Sequence, residues 1–142
     1  MVINMKNKII EELIKLLTKA AKHNEVPVAA LIVFNDKIIS KEYNKRENMN
    51  DVTGHAEIRC IKKAARKLKT WKLDNCIMYV TLKPCSMCEQ VIRESRIKEI
   101  IYIIDKLDVK NEYNKTKISK LNDEESENKI KNIMSLFFKQ KR

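Results

Sequence analysis

Apolar residues recur at helical spacing near the start of the chain. Ile9, Ile10, Leu13, Ile14, Leu17, Ala20 and Ala21 mark one face of an amphipathic helix over residues 5–22. The period then changes. Residues 28–34 form an unbroken β-favouring run, Asn35-Asp36 reads as a turn, and residues 37–43 supply a second strand, which together predict a hairpin. Residues 44–54 are polar and irregular, with Asp51 and Thr53 placed as caps for a helix over 55–68. Residues 77–82 read as a buried strand, Pro84 opens a helix reaching Glu94, and residues 100–104 supply a fourth strand. The stretch 106–122 is polar and lysine-rich, with residues 116–119 as a short further strand. Asn122-Asp123-Glu124-Glu125 combines a cap with acids that complement a helix dipole, and Ile130, Ile133, Met134, Phe137 and Phe138 make the apolar stripe of the helix that follows. The order α-β-β-α-β-α-β-(β)-α predicts an α/β fold whose sheet is covered by helices on both faces.

Composition narrows the function classes. At 142 residues the chain reads as one domain, residues 1–142, with a sizeable core. Its longest apolar run, residues 26–34, includes Pro27 and falls well short of the roughly 20 residues of a membrane helix. The charged amphipathic start does not resemble a secretory signal, so a cytoplasmic location is expected. Net charge is +11, from 30 Lys and Arg against 19 Asp and Glu. Part of that excess reflects a bias toward Lys, Ile and Asn, all favoured by AT-rich codons. The distribution is more informative than the total. Between Arg59 and Lys72 stand seven cations and no acid, among them Lys62, Lys63 and Arg66, and a second cluster closes the chain at Lys139, Lys141 and Arg142. Such clusters suit a polyanion, whose counterions they release, or a solvated helix face.

Cysteine placement carries the chemistry. Cys85 and Cys88 lie three apart directly after an apolar strand, at the start of a helix whose dipole favours thiolates. His55 opens another helix and can add an imidazole, giving three ligands with an open position, the mark of a catalytic rather than a structural zinc. Two thiolates cancel the metal's charge, so its water is less acidified and a base is useful; Glu57 is placed to serve. Residues two apart on a helix point about 200° apart, so His55 and Glu57 converge only on a metal off the helix end. Two other readings stay open here: a redox-active cysteine pair, and a closed structural zinc completed by Cys60 or Cys76. His23, the other histidine, reads as a helix-end residue.

His55-Ala56-Glu57 followed by Pro84-Cys85-Ser86-Met87-Cys88 resembles the zinc signature of the cytidine deaminase-like superfamily. Within it the chain is similar to the bacterial tRNA-specific adenosine deaminases through Glu25-Val26-Pro27-Val28, Tyr43-Asn44, residues 79–88, Ser95-Arg96-Ile97 and the basic Phe137-Phe138 end. The resemblance implies a three-layer α/β/α sandwich with a mixed central sheet of four to five strands. It implies one zinc per subunit on His55, Cys85 and Cys88, with Glu57 as proton shuttle, Asn44 binding the flipped-out nucleotide and Val28 walling the pocket. It also implies a homodimer acting on the anticodon loop of tRNA; the charge clusters then supply Arg59, Lys62, Lys63, Arg66, Lys139, Lys141 and Arg142 as candidate RNA contacts. Ala29, Glu89-Gln90 and the glycine-free stretch 105–122 depart from the family pattern. A deaminase of a free base or nucleotide (guanine, cytosine or deoxycytidylate) is the alternative on the same zinc site, and a non-catalytic RNA-binding zinc module a further one.

Overall fold

The strand at residues 29–34 is apolar at every position because both of its faces are covered. A computed structural model of the chain describes residues 2–105 and 116–140. They fall into two compact units, within Met1–Asp108 and within Val109–Arg142.

In the first unit, α1 (Val2–Lys22) precedes the hairpin β1 (Ala29–Phe34) and β2 (Lys37–Tyr43). A short α2 (Arg46–Met49) and α3 (Ala56–Leu68) follow, then β3 (Ile77–Leu82), α4 (Ser86–Glu94) and β4 (Glu99–Ile104). The sheet order is β2-β1-β3-β4. β1 pairs antiparallel with both β2 and β3, whereas β3 and β4 are parallel, so the sheet is mixed. Alternate residues of β1 point to opposite layers. Ala29, Leu31 and Val33 pack with Ile9, Leu13 and Leu16 of α1. Ala30 and Ile32 join Ile58, Ile61 and Ala64 of α3 and Cys88 and Ile92 of α4. This is the expected three-layer α/β/α sandwich. In it β3–α4–β4 is a parallel crossover unit, and such units bind ligands beyond the carboxyl ends of their strands.

Several expectations are corrected. Among the described residues the sheet has four strands, and residues 116–119 carry no regular element, with Ile118 94% exposed. Asp51 and Thr53 do not cap α3. The Asp51 carboxylate instead accepts from the Thr53 amide at 2.9 Å and hydroxyl at 2.7 Å, closing a local turn. The helices at the site begin slightly later than the pattern predicts, with His55 and Cys85 as N-caps rather than helical residues. β4 lies at one end of the sheet order, and its Tyr102, Ile103 and Ile104 are exposed. The second unit holds α5 (Glu124–Gln140), started by Asp123, whose carboxylate accepts from the Ser126 hydroxyl at 2.7 Å. None of its residues is buried.

Gly54 is the only glycine of the chain, and the loop crossing before α3 requires it. A Cβ there would meet the Arg46 Cα and the Asp51 carbonyl oxygen, each at 2.9 Å, and both are backbone atoms with little room to yield. The crossing is clasped by the Lys45 amide donating to the Gly54 carbonyl at 2.8 Å. Because His55 is the next residue, Gly54→Ala displaces the histidine. The expected outcome is a loss of about 1–3 kcal/mol in urea unfolding, the usual cost of overpacking, together with weaker metal retention in competition with a chelator. Unchanged metal affinity would separate the loop from the site.

Candidate metal centre

Two helices point their N-termini at one spot. His55 has extended backbone (φ −69°, ψ 149°), and so does Cys85 (φ −68°, ψ 169°). Neither side chain caps its own helix, so both are free to face away from the helical turn. That resolves the geometric constraint on His55 and Glu57, since His55 stands outside the helix and Glu57 inside its first turn. Cys88 is the third helical residue of α4 and is buried.

His55 Nδ1 lies 3.7 Å from Cys85 Sγ and 3.3 Å from Cys88 Sγ. The three donor atoms all fall within 4.8 Å of one another and could hold a metal ion. Tetrahedral zinc with its usual bond lengths separates an imidazole nitrogen from a thiolate sulfur by about 3.5 Å. The observed separations bracket that figure, and the donor set of one imidazole and two thiols suits zinc.

The electrostatics agree. A hydrogen bond from Cys88, and then one from His55, lowers the Cys85 thiol to about 3. The same bond to Cys85, with burial, pushes the Cys88 thiol up. His55 is raised, first by its hydrogen bond to Cys85. The cluster is thus already a charge-assisted network that a dication can replace.

Glu57 completes the site. It is 3% exposed, burial pushes its carboxyl above the usual carboxylate range, and its Oε1 has no hydrogen-bond partner. An orphaned buried carboxylate oxygen costs stability, and here it stands two residues from His55 beside the thiols. Cys60 and Cys76 do not join the cluster. The Cys60 thiol instead lies 3.0 Å from the Ser40 hydroxyl, and burial lifts it to about 12. The closed four-ligand zinc considered from sequence therefore has no fourth ligand among the described residues, and the redox reading leaves His55 and Glu57 without a role.

Asn44 and Val28 are joined by the Asn44 amide donating to the Val28 carbonyl at 3.1 Å. Val28 packs against the cluster that holds Ala56 and Cys88. The Asn44 side chain is buried, and its carbonyl oxygen accepts from the Arg46 amide at 3.2 Å.

The candidate RNA cations divide. Lys62 and Arg66 are exposed. Arg59 and Lys63 are committed to Glu42, at 2.7 Å and 2.6 Å. Burial acts to raise the Glu42 carboxyl, but these ion pairs more than offset it and hold it below the usual range. Lys139 is exposed on α5, while Lys141 and Arg142 lie outside the described residues, as do residues 106–115 of the lysine-rich stretch.

Two positioning residues escaped the sequence reading. Glu25, from the α1–β1 loop, accepts from the Glu47 amide at 3.1 Å and the Asn48 amide at 2.8 Å. It thereby anchors the loop that carries Asn44. Burial acts to raise its carboxyl, and these hydrogen bonds, with one from the Asn48 side chain, bring it below the usual range. Thr81 accepts from the Ala29 amide at 3.1 Å and fixes the start of β1 beside Val28.

Known proteins resemble this chain in sequence and fold. The MafB19-like deaminase family matches residues 4–142. A tRNA-specific adenosine deaminase of Buchnera aphidicola subsp. Schizaphis graminum is 38% identical over 134 residues, covering 87% of each chain. A structure from work on A-to-I editing by tRNA:A34 deaminases at the wobble position of transfer RNA is 33% identical with a TM-score of 0.69, covering 71% of this chain and 78% of that one. A guanine deaminase from Bacillus subtilis has a TM-score of 0.77 over 91% of this chain and 93% of its own, at 23% identity, a likeness of fold alone. With a His, Cys, Cys donor set and a buried glutamate at its centre, the chain belongs to the MafB19-like deaminase family and stands among relatives named tRNA-specific adenosine deaminase.

Proposed function

We propose that this chain is a zinc-dependent hydrolase that deaminates adenosine to inosine at the wobble position of tRNA. In this reading residues 1–142 form one deaminase domain that works in the cytoplasm as a homodimer, with one zinc per subunit. No helix among the described residues is long and apolar enough to cross a membrane. One observation carries the chemistry: three donor atoms within 4.8 Å of one another, beside a buried glutamate whose Oε1 has no partner. The substrate rests on the 38% identity to the Buchnera relative across 134 residues.

His55, Cys85 and Cys88 would hold the ion through Nδ1 and the two sulfurs. When bound there, zinc supplies a Lewis acid with an open coordination position for water. Glu57 does the proton work. Its partnerless oxygen would take one proton from the water and deliver it to the purine ring nitrogen, then carry the second proton from the added hydroxyl to the departing amino group. The water oxygen bonds to the purine carbon, the bond to the amino nitrogen breaks, and ammonia leaves. Asn44 and Val28, tied by their backbone hydrogen bond, wall the base pocket. Lys62, Arg66, Lys139, Lys141 and Arg142 remain candidates for the phosphates. Arg59 and Lys63 spend their charge on Glu42 and act by shaping that surface.

The test is inosine formation in an anticodon stem-loop RNA with wobble adenosine, run beside free guanine and free cytosine. Inosine is expected from the RNA alone, with a rate at low substrate that falls steeply as salt rises. Turnover of guanine or cytosine with none on RNA would keep the metal centre and overturn the tRNA assignment.

A further inference from the structure

A cleft of about 510 Å³ opens beside β2, and no residue of the metal centre lines it. Three elements meet there: the end of α1, with Lys19, Lys22 and His23; β2 and its continuation, with Lys41, Tyr43 and Lys45; and α3, with Lys63. The lining carries five lysines against one carboxylate, Glu42. That carboxylate is already covered, with a side chain only 5% exposed under Arg59 and Lys63. Lys41 pairs with Glu12 at 2.9 Å and Lys63 with Glu42 at 2.6 Å, and Lys45 lies 3.9 Å from the same Glu42, whereas Lys19 and Lys22 form no ion pair among the described residues. Lys19 and Lys22, both exposed, therefore carry the uncompensated charge, and with the paired lysines around them the cleft presents a positive rim to an incoming ligand.

We propose that this cleft holds the phosphodiester backbone of the RNA substrate, as a second binding surface separate from the metal centre. The inference rests on the tRNA reading above and adds a place for the strand to it. Tyr43 organises the floor. Its ring stacks on His23 (centroids 6.2 Å apart, planes at 9°), and Lys45 Nζ sits 4.7 Å from the ring centroid. Cations set around an aromatic in a groove are the pattern that tracks a single nucleic-acid strand. The cleft also leads toward the site. β2 runs along it into Asn44, and the Lys45 amide is bonded to Gly54, the residue before His55. Asn44, the proposed nucleotide contact, stands in the chain between the cleft residues Tyr43 and Lys45.

The zinc-loaded full chain and its Lys19→Gln/Lys22→Gln variant test this. Both lysines are exposed in the last turn of α1, away from the core. Binding of an anticodon stem-loop RNA is followed by fluorescence anisotropy across a salt series, with kcat and KM for inosine formation alongside. The variant is expected to bind about tenfold more weakly, with a log–log salt slope reduced by about 1 for each phosphate that is no longer neutralised. KM should rise with kcat unchanged, and Lys19→Arg/Lys22→Arg should restore both affinity and slope. Unchanged affinity and slope in an active variant would overturn the cleft and keep the deaminase reading. The lysines would then serve only the dipole of α1. Weakened binding with the expected slope change in a chain that forms no inosine would keep the cleft as a nucleic-acid surface and overturn the deaminase reading instead.

Discussion

Glu57→Gln is expected to lose deamination by about 10²–10⁴-fold in kcat, the usual contribution of a positioned general acid and base, while keeping its metal and its fold. Glutamine fills the same volume but cannot cycle a proton. Two observations make the expectation sharp. The carboxyl is buried with its Oε1 unpartnered, and its remaining interactions are with its own backbone, His55 and the two cysteines, inside the site rather than with the rest of the fold. Removing a buried, unsatisfied carboxylate relieves a desolvation cost, so the melting temperature should stay equal or rise. A purely structural glutamate would behave in the opposite way, with stability falling and activity following it. Single-turnover deamination, metal content and thermal melts on one preparation separate the two. A kcat within tenfold of the parent chain would remove Glu57 from the proton path.

How much of this was legible beforehand depends on how local each cause is. His55, Glu57, Cys85 and Cys88 declare themselves because the chemistry needs those side chains at helix starts, and the strand and helix periods place the starts. The unbroken apolar run at residues 29–34 likewise needs only a sheet covered on both faces. What stayed hidden depends on distant partners. The four-residue α2 has a poor local case for a helix; it persists because Glu25, more than 20 residues earlier, accepts from two of its amides. Arg59 and Lys63 read as free cations in an acid-free run, since Glu42 reaches them only after β2 and α3 pack together. Residues 102–104 look like core strand by composition, but they belong to an end strand and stay exposed. The shift of one residue in α3 and two in α4 that makes His55 and Cys85 caps is invisible to periodicity, and it is what lets the ligands and Glu57 face one point.

Removing a ligand tests the centre from the other side. Cys88→Ser is expected to take bound zinc from about one ion per chain to a small fraction of that, because zinc strongly prefers thiolate to hydroxyl in such a set. Deamination should vanish with the metal. The fold should survive. Zinc fingers unfold without their ion because the metal substitutes for a core. Here the layers on both sides of β1 are built from apolar packing, Leu13, Leu31, Ile32 and Met78 among it, in which Cys88 is the one ligand that takes part. Chelation of the parent chain should therefore abolish activity reversibly and lower the melting temperature only by the binding linkage, about 2.7 kcal/mol when free zinc stands at a hundred times its dissociation constant. Cooperative melting of both metal-free forms, with activity restored by added zinc in the parent chain alone, is the expected pattern. Collapse of the fold on chelation would make the ion structural and return the chain to the class of non-catalytic zinc modules.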